Sequence, residues 1–123
     1  MTLHDPTHEL TLPGGRVVAR CVYRPGFLFR MRGLLGRKDL PPGTGIWLKP
    51  CHSIHMFFMK FPIDAVFLDR NLRVVRVVSD LRPWSLVWPV KGACSCVEVP
   101  AGTAGECGIE PGLELGMREL GGM

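Results

Sequence analysis

The stretch PCHSIHMFFMKFPIDAVFLD, residues 50–69, mixes apolar mass with reactive side chains more closely than any other part of the chain. Histidine, cysteine, methionine, lysine and aspartate side chains lie within an otherwise apolar run. Pro62 disfavours helical geometry at the residue before it, so we expect a bend at residues 60–62. Extended chain is therefore expected on both sides of a bend in this stretch.

Two nearly continuous apolar runs, residues 63–68 and 72–79, predict a β-hairpin on the C-terminal side of the bend. Asp69, Arg70 and Asn71 lie between the runs, and aspartate and asparagine favour turns. Because neither run alternates regularly with polar residues, we expect both strands to be central in a sheet and covered on both faces.

The remaining pattern predicts several short strands and little helix. Further strands are predicted at residues 16–23, 45–48, 93–99 and 113–117. Helix-compatible spacing favours a short helix within residues 27–36, and residues 100–107 favour one further helical turn. Residues 82–91 are expected to form a loop that folds Trp84 and Trp88 back onto the domain, because its prolines disfavour a central strand. The prediction is an α+β fold, predominantly β, with a strongly curved sheet or a partly closed barrel and one or two short helices.

Length and composition favour a single small domain. The chain has 123 residues, of which 46% are hydrophobic and 21% are charged, and this composition supports a core and excludes intrinsic disorder. Residues 1–15 are predicted to be a flexible N-terminal leader, and residues 16–123 the folded domain. The sequence has no signal-peptide pattern and no apolar run of the ~18 residues that a membrane helix needs. We therefore expect a cytoplasmic protein with no membrane partner.

The charges are unevenly distributed along the chain. Fifteen lysines and arginines against eleven acids give a net charge of +4. Residues 16–38 contain basic residues and no acid, whereas acids predominate from Glu98 onward. We expect the two segments to neutralise each other in the fold. Because the basic segment lacks a nucleic-acid motif, nucleic acid is not expected as a partner.

The cysteines and histidines raise the question of a metal site. Thiolate and imidazole ligands suit zinc or copper(I). In an extended chain, however, Cys51 and His55 lie roughly 13 Å apart, and one metal ion cannot bridge that distance. Five cysteines without a signal peptide favour free thiols in a reducing compartment, and Cys94 and Cys96 are expected to be core residues. The sequence therefore predicts no metal and no cofactor.

Lys60 and Asp64 are the two charged residues within the apolar residues 54–68. A charge removed from water needs a partner, so we expect these two to pair with each other or with a third group. One interpretation is a buried ion pair that only fixes the turn. The other is a pocket in which Lys60 binds an anionic group, or acts as a base, while Asp64 orients it.

Several further motifs occur together in one order. They are MRGLLGR at residues 31–37, Met59-Lys60 followed by Pro62-Ile63-Asp64, Phe67-Leu68-Asp69, the segment from Glu98 to Gly102, and GIEPG at residues 108–112. In order and spacing this set resembles domain-of-unknown-function family 192 of bacteria and archaea, from about Arg16 to Met117. The resemblance implies a small β-rich domain with a short helix, in a family whose biochemical role is unassigned.

The predicted site is centred on Lys60 and Asp64, which are also the candidate catalytic residues. The candidate ligand-binding residues are Lys60, Asp64, His55, Arg32, Phe58 and Trp84. The leading hypothesis is a binding or accessory domain for a small polar or anionic ligand of unknown identity. The alternatives are a hydrolase or other acid/base enzyme that uses Lys60 and Asp64, and a structural module that binds protein partners.

Overall fold

The computed structural model describes residues 5–24, 39–57 and 59–121. Within these ranges the chain forms nine strands and one short helix: β1 (His8–Thr11), β2 (Val17–Arg24), β3 (Thr44–Leu48), β4 (Ile54–His55), β5 (Ile63–Leu68), β6 (Val74–Leu81), β7 (Leu86–Val87), β8 (Ser95–Pro100), α1 (Thr103–Cys107) and β9 (Gly116–Glu119). The helix predicted within residues 27–36 lies outside the described residues, as do the candidates Arg32 and Phe58. The described helix is too short to cross a membrane. A predominantly β chain with a small helix is confirmed.

Seven of the described strands form one sheet in the order β6, β5, β8, β3, β2, β1, β9, and β4 pairs with β7 in a separate two-stranded ribbon. β2 and β3 run parallel, and the other neighbouring pairs of the large sheet are antiparallel. The predicted hairpin is confirmed as β5 and β6. A Cβ atom at Gly45 would lie 2.9 Å from the carbonyl oxygen of Glu98, so β3 approaches β8 this closely because the residue is glycine.

The two ends of the sheet, β6 and β9, are not paired with each other among the described strands, so the sheet is open. The segment just before β9 nevertheless lies against the start of β6. The N–H of Val74 donates to the carbonyl of Leu113 at 2.8 Å. The N–H of Leu115 donates to the carbonyl of Leu72 at 3.0 Å. These bonds shield the first residues of an edge strand, and a partly closed barrel stays a prediction.

β5 is buried on both faces because its residues alternate between two hydrophobic clusters. Ile63, Ala65 and Phe67 pack into one cluster, and Val66 and Leu68 pack into the other. This confirms the central position predicted for the strand. β6 is instead an edge strand with several half-exposed residues, so the prediction that it is also central was wrong. A continuous apolar run does not distinguish a central strand from an edge strand that packs on one side.

Two small structures cover the two faces of the large sheet. The β4–β7 ribbon covers one face, where Ile54, Met56 and Val87 join the first cluster. Helix α1 and the chain after it cover the other face, where Ala104 and Ile109 join the second cluster. A strand that is apolar on both sides needs apolar contacts on both sides. These two covers therefore account for the burial of β5.

Asp64 is the polar exception in β5, and it is completely buried. Its Oδ1 accepts the N–H of Asp80 at 2.8 Å. Its Oδ2 accepts the N–H groups of Gly102 at 3.0 Å and Ala104 at 2.9 Å. The first N–H groups of a helix have no acceptor within the helix, so a buried helix start needs a partner of this kind. Asp64 therefore joins β5, the end of β6 and the start of α1.

The segment expected to be a flexible leader contains β1, which lies between β2 and β9. Glu9 stands opposite Arg20 of β2 and opposite Arg118 of β9. Its carboxylate pairs with Arg20 at 3.3 Å and with Arg118. The hydrogen bond from Arg118 is the main cause that lowers the pKa of Glu9, against the opposing effect of burial. These cross-strand pairs hold β1 in the sheet.

Two further segments differ from expectation. Within residues 82–91, Val87 makes the contact with the core, while Trp84 and Trp88 are exposed rather than folded back. The last strand begins at Gly116 instead of residue 113, because residues 113–115 bond to the start of β6 before the chain reaches β1.

Removing the Asp64 carboxylate should destabilise the fold strongly. Asp64→Ala leaves buried backbone N–H groups without an acceptor, and we expect the free energy of unfolding to fall by about 3 kcal/mol or more. Urea denaturation followed by circular dichroism measures it. The matched control is Asp69→Ala, because Asp69 also accepts two backbone N–H groups, from Asn71 and Arg73, but at an exposed turn. We expect about 1 kcal/mol there, since water can replace the acceptor. Equal losses would contradict the role assigned to Asp64.

Glu9 should make the fold sensitive to acid. Because its pKa is lower in the folded chain than its ordinary value of 4.5, its stabilising effect is present above that value and is lost as the pH falls through the folded-state pKa. We expect the melting temperature of the wild type to fall more steeply than that of Glu9→Gln between about pH 5 and pH 3. Glu110→Gln, a change at an exposed loop glutamate, should follow the wild type. Parallel curves for wild type and Glu9→Gln would show that the arginine pairs do not act on stability.

Candidate functional site

The structure separates the two residues on which the predicted site was centred. Lys60 is exposed at the bend, whereas the carboxylate oxygens of Asp64 face three backbone N–H groups. No ion pair joins Lys60 to Asp64 among the residues that the structure describes. The buried carboxylate of Asp64 is therefore hydrogen-bonded to backbone N–H groups, and the side chain of Lys60 is in contact with water.

His55 and Trp84 lie on the outer side of the β4–β7 ribbon, with Phe57 between them. The ring centroids of His55 and Phe57 are 4.7 Å apart, and those of Phe57 and Trp84 are 5.9 Å apart and stacked. Trp84 is 59% exposed. These two candidates therefore belong to a row of rings at the surface.

A pocket of about 760 Å³ lies at the ends of β2 and β3. Its described lining residues are His8, Tyr23, Trp47, Lys49, Pro50, Cys51, His52, Ala93 and Cys94. The volume falls within the roughly 300–1,000 Å³ that is typical of small-molecule sites. None of the predicted site residues that the structure describes is among the lining residues.

Strand pairing brings the lining residues together from distant parts of the sequence. Tyr23 and Trp47 stand opposite each other across the parallel pair of β2 and β3, and His8 comes from β1 on the far side of β2. The N–H of Cys51 donates to the carbonyl of Cys94 at 3.0 Å. This bond places the chain that follows β3 beside the chain that precedes β8, and the two segments close the pocket.

Three aromatic rings meet edge to face in the pocket. The ring centroid of Trp47 lies 5.0 Å from that of His8 and 5.5 Å from that of Tyr23, at interplanar angles of 74° and 68°. Trp47 is 9% exposed, and its Nε1–H is buried without a hydrogen-bond acceptor in the part of the chain that the structure describes. A buried donor without an acceptor costs free energy. Trp47 therefore contributes its ring to the pocket wall, while its N–H is buried.

Among its described residues, the polar side of the pocket carries one positive charge, that of Lys49. The Nζ of Lys49 lies 5.7 Å from the centroid of the Trp47 ring, which is a cation–π contact. The hydroxyl of Tyr23 donates to the carbonyl of Lys49 at 3.3 Å. Two imidazoles, those of His8 and His52, complete this side, and the described lining residues include no aspartate or glutamate. An anionic group fits such surroundings.

Two cysteines line the pocket and a third lies behind them. Cys94 is half-buried at the pocket, whereas Cys51 is buried and its thiol contacts Cys96 in the core. Burial, with a smaller effect of the Cys51 thiol, raises the pKa of Cys96 well above its ordinary range. Within the described residues, no three His, Cys, Asp or Glu side chains are arranged to hold a metal ion.

Sequence reasoning missed the pocket because its residues are spread from residue 8 to residue 94. Pro50, Cys51 and His52 lie in the stretch that drew attention, but the others come from strand ends and from the supposed leader. The sequence did contain one feature that could have indicated the pocket. Tyr23, Trp47 and Lys49 stand at the ends of two predicted strands, and parallel pairing, which the sequence did not reveal, would place these ends together.

Iodoacetamide should distinguish the thiols by their burial. Burial raises the pKa of Cys21 to about 12, so at about pH 8 only roughly one Cys21 thiol in ten thousand is the reactive thiolate. We expect Cys94 to be alkylated at least about tenfold faster than Cys21 in the folded protein, as measured by a mass-spectrometric time course on peptides. The rates should converge in urea. Equal rates in the folded protein would contradict this assignment.

Two solved structures have a similar fold. A protein of unknown function from Novosphingobium aromaticivorans has a TM-score of 0.76 at 21% identity, covering 89% of this chain and 83% of that chain. A Sinorhizobium meliloti protein, described as a candidate transcription regulator, has a TM-score of 0.74 at 20% identity, covering 95% of this chain and 96% of that chain. At this level of identity the similarity shows the fold alone.

Archaeal proteins named UPF0127 are more similar in sequence. The Pyrococcus horikoshii protein is 38% identical over 81 residues, which are 62% of this chain and 68% of that protein. A Thermococcus sibiricus protein is 41% identical over 97 residues, which are 72% of this chain but 60% of that protein. A Thermococcus kodakarensis protein is 35% identical over 91 residues, and the match spans 57% of its length. The chain thus matches less than two thirds of the two Thermococcus relatives.

The family model described as Uncharacterized ACR, COG1430 matches residues 25–117, which is well over half of the chain. This match confirms the resemblance that the sequence motifs indicated. The chain belongs to domain-of-unknown-function family 192, a family of uncharacterised proteins.

Proposed function

We propose that the chain is a binding domain for a small anionic ligand with a flat apolar part, and that this ligand occupies the pocket around Trp47 and Lys49. The observation that carries the proposal is the combination of a tryptophan, a lysine above its ring and two histidines, with no carboxylate among the described lining residues. Apolar and aromatic walls with a few convergent polar groups are typical of small-molecule sites.

Each part of the pocket has a chemical role in this proposal. The faces of Tyr23 and Trp47 contact the flat part of the ligand. Lys49 and His52, both exposed at the pocket, bind its carboxylate or phosphate group. Because Lys49 already lies over the Trp47 ring, the charge and the apolar surface are positioned together before a ligand arrives.

The proposal keeps the ligand class of the leading sequence hypothesis and moves the site. The sequence centred the site on Lys60 and Asp64, but Asp64 is committed to backbone N–H groups. The acid/base enzyme and the protein-binding module stay hypotheses, because no observation on the described residues favours either of them over binding.

Phenyl phosphate and benzoate are suitable probes, with benzyl alcohol as the neutral analogue. The three tryptophans provide three indole N–H signals in a nitrogen–proton correlation spectrum, and Trp47→Phe identifies the signal of the pocket. We expect the anionic probes to shift the Trp47 signal with saturation, and benzyl alcohol to bind at least about tenfold more weakly. The signals of Trp84 and Trp88 should not move.

Two lysine variants locate the site. Lys49→Met should weaken phenyl phosphate binding by about tenfold, since it removes the charge but keeps an apolar chain over the indole. Lys60→Met is the matched control, because it makes the same change at the exposed lysine on which the sequence had centred the site. It should bind like the wild type. Loss of binding in Lys60→Met alone, or probe shifts confined to Trp84 and Trp88, would refute the proposed pocket.

A further inference from the structure

The β4–β7 ribbon presents one side to the core and the other to solvent. Ile54 stands opposite Val87, and both are buried. The next pair, His55 opposite Leu86, points to the other side because side chains alternate along a strand. Ring contacts of His55 with Phe57 and of Phe57 with Trp84 place these two aromatic residues on the same outer side, and Trp88, two residues after Leu86, is exposed. We call this side the aromatic face; it consists of His55, Phe57, Trp84, Leu86 and Trp88.

The aromatic face is apolar although it contacts water. Trp88 is 74% exposed, Trp84 59%, Leu86 46% and Phe57 37%, and among the described large hydrophobic residues only Val17 is exposed elsewhere. The solvent side of an antiparallel pair is ordinarily polar. Contiguous exposed apolar surface marks an interaction site more often than it occurs by chance. The aromatic face therefore carries large apolar side chains where the solvent side of a strand pair ordinarily carries polar ones.

The chain around the aromatic face is cationic. The two segments that carry the face, residues 49–62 and 82–93, contain no aspartate or glutamate. Their basic residues are Lys49, Lys60, Arg82 and Lys91. All four are exposed, and Arg82 pairs with Asp80, just outside the second segment, at 2.9 Å. An anionic surface is the complementary partner of an apolar face with such surroundings.

We propose that the aromatic face docks on the surface of an anionic lipid bilayer. Tryptophan, phenylalanine and leucine side chains are stabilised in the interfacial region of a bilayer, and flanking lysines and arginines attract anionic headgroups. The expectation of no membrane partner was based on the lack of a spanning segment. Docking on one surface needs no spanning segment, and the two observations are compatible.

The arrangement of the face favours a lipid surface over a single-stranded nucleic acid. A nucleic acid is bound by stacking rings beside a cationic groove that follows its backbone. Here Leu86 lies between Trp84 and Trp88, and the basic residues lie in the flanking chain. Trp84, Leu86 and Trp88 are all exposed within one short segment of the chain, so their side chains can enter a bilayer surface together.

This proposal does not rest on the proposed function, although Lys49 belongs both to the pocket and to the basic residues around the face. No residue of the aromatic face is among the described lining residues of the pocket. Failure of small anions to bind the pocket would leave the aromatic face unaffected, and failure of vesicles to bind would leave the pocket unaffected.

The full chain and vesicles of defined composition test the proposal. Co-sedimentation compares vesicles of phosphatidylglycerol and phosphatidylcholine with vesicles of phosphatidylcholine alone, at about 0.1 M salt. Tryptophan emission is a second readout, because Trp47 is buried and Trp84 and Trp88 are exposed. We expect binding to the anionic vesicles with a blue shift of the emission, and at least about tenfold weaker binding to phosphatidylcholine alone.

Apolar variants assign the binding to the face. Trp84→Ala/Trp88→Ala should lower the partition coefficient at least about tenfold and abolish the blue shift. Trp88→Ala alone, at the most exposed of these side chains, keeps the test valid should the double variant fail to fold, and it should bind severalfold more weakly than the wild type. Val17→Ala is the matched control, since Val17 is 44% exposed on β2, and it should bind like the wild type.

Charge variants and competitors complete the test. Lys60→Glu/Lys91→Glu should weaken binding to anionic vesicles more than Arg76→Glu, a change at an exposed arginine of β6. The proposal is overturned if the wild type ignores anionic vesicles, or if Val17→Ala loses as much binding as the tryptophan variants. Capture of oligothymidylate in place of vesicles would assign the face to nucleic acid. Vesicle binding that free glycerol phosphate abolishes would assign recognition to the phosphate alone, and either result refutes docking on a bilayer.

Discussion

One buried carboxylate connects the β5–β6 hairpin to helix α1, which shares no strand ladder with either strand. Asp64 lies in the central strand β5 and accepts N–H groups from the end of β6 and from the start of α1. A charge at this depth is tolerated because the backbone supplies its donors. The bonds to Gly102 and Ala104 fix α1 over one face of the sheet, where Ala104 joins the cluster that contains Val66 and Leu68 of β5. The hydrogen bonds of Asp64, a candidate catalytic residue in the sequence, thus connect structural elements of the fold.

The large sheet then determines where a site can form. β2 and β3 run parallel, so their C-terminal ends lie at the same edge and carry Tyr23 and Trp47 to one place. Because β3 pairs antiparallel with β8, the chain leaving β3 stays beside the segment before β8, to which Cys51 is hydrogen-bonded, and both segments line the pocket. From there it enters the ribbon that covers the first cluster. The segment from Pro50 to Phe57 therefore contributes to both the pocket and the aromatic face, and the bond from the Val90 N–H to the His52 carbonyl at 2.7 Å connects it to the segment that carries β7.

The predicted site stays a prediction, but the structure shows how its two central residues are surrounded. The stretch at residues 50–69 does contribute to both surfaces, through Cys51 and His52 at the pocket and through His55 and Phe57 at the face. Lys60 and Asp64 are close in sequence, but the bend puts one in water and the other inside the sheet. Nearness in sequence does not show whether two charged residues pair with each other or find separate partners. Here the backbone N–H groups are the partners of Asp64, and water surrounds Lys60.

The sequence by itself determined what depends on local pattern. It predicted the hairpin of β5 and β6 from two apolar runs and a turn, the predominance of strands, the short helix near residues 100–107, and the family from its spaced motifs. The tertiary structure decided what depends on contacts between distant segments. The place of β1 inside the sheet, the parallel pairing of β2 with β3 and the exposure of Trp84 and Trp88 are of this kind. Such pairings join residues far apart in sequence, as the 109 positions between Glu9 and Arg118 show, and local propensity carries no information about them.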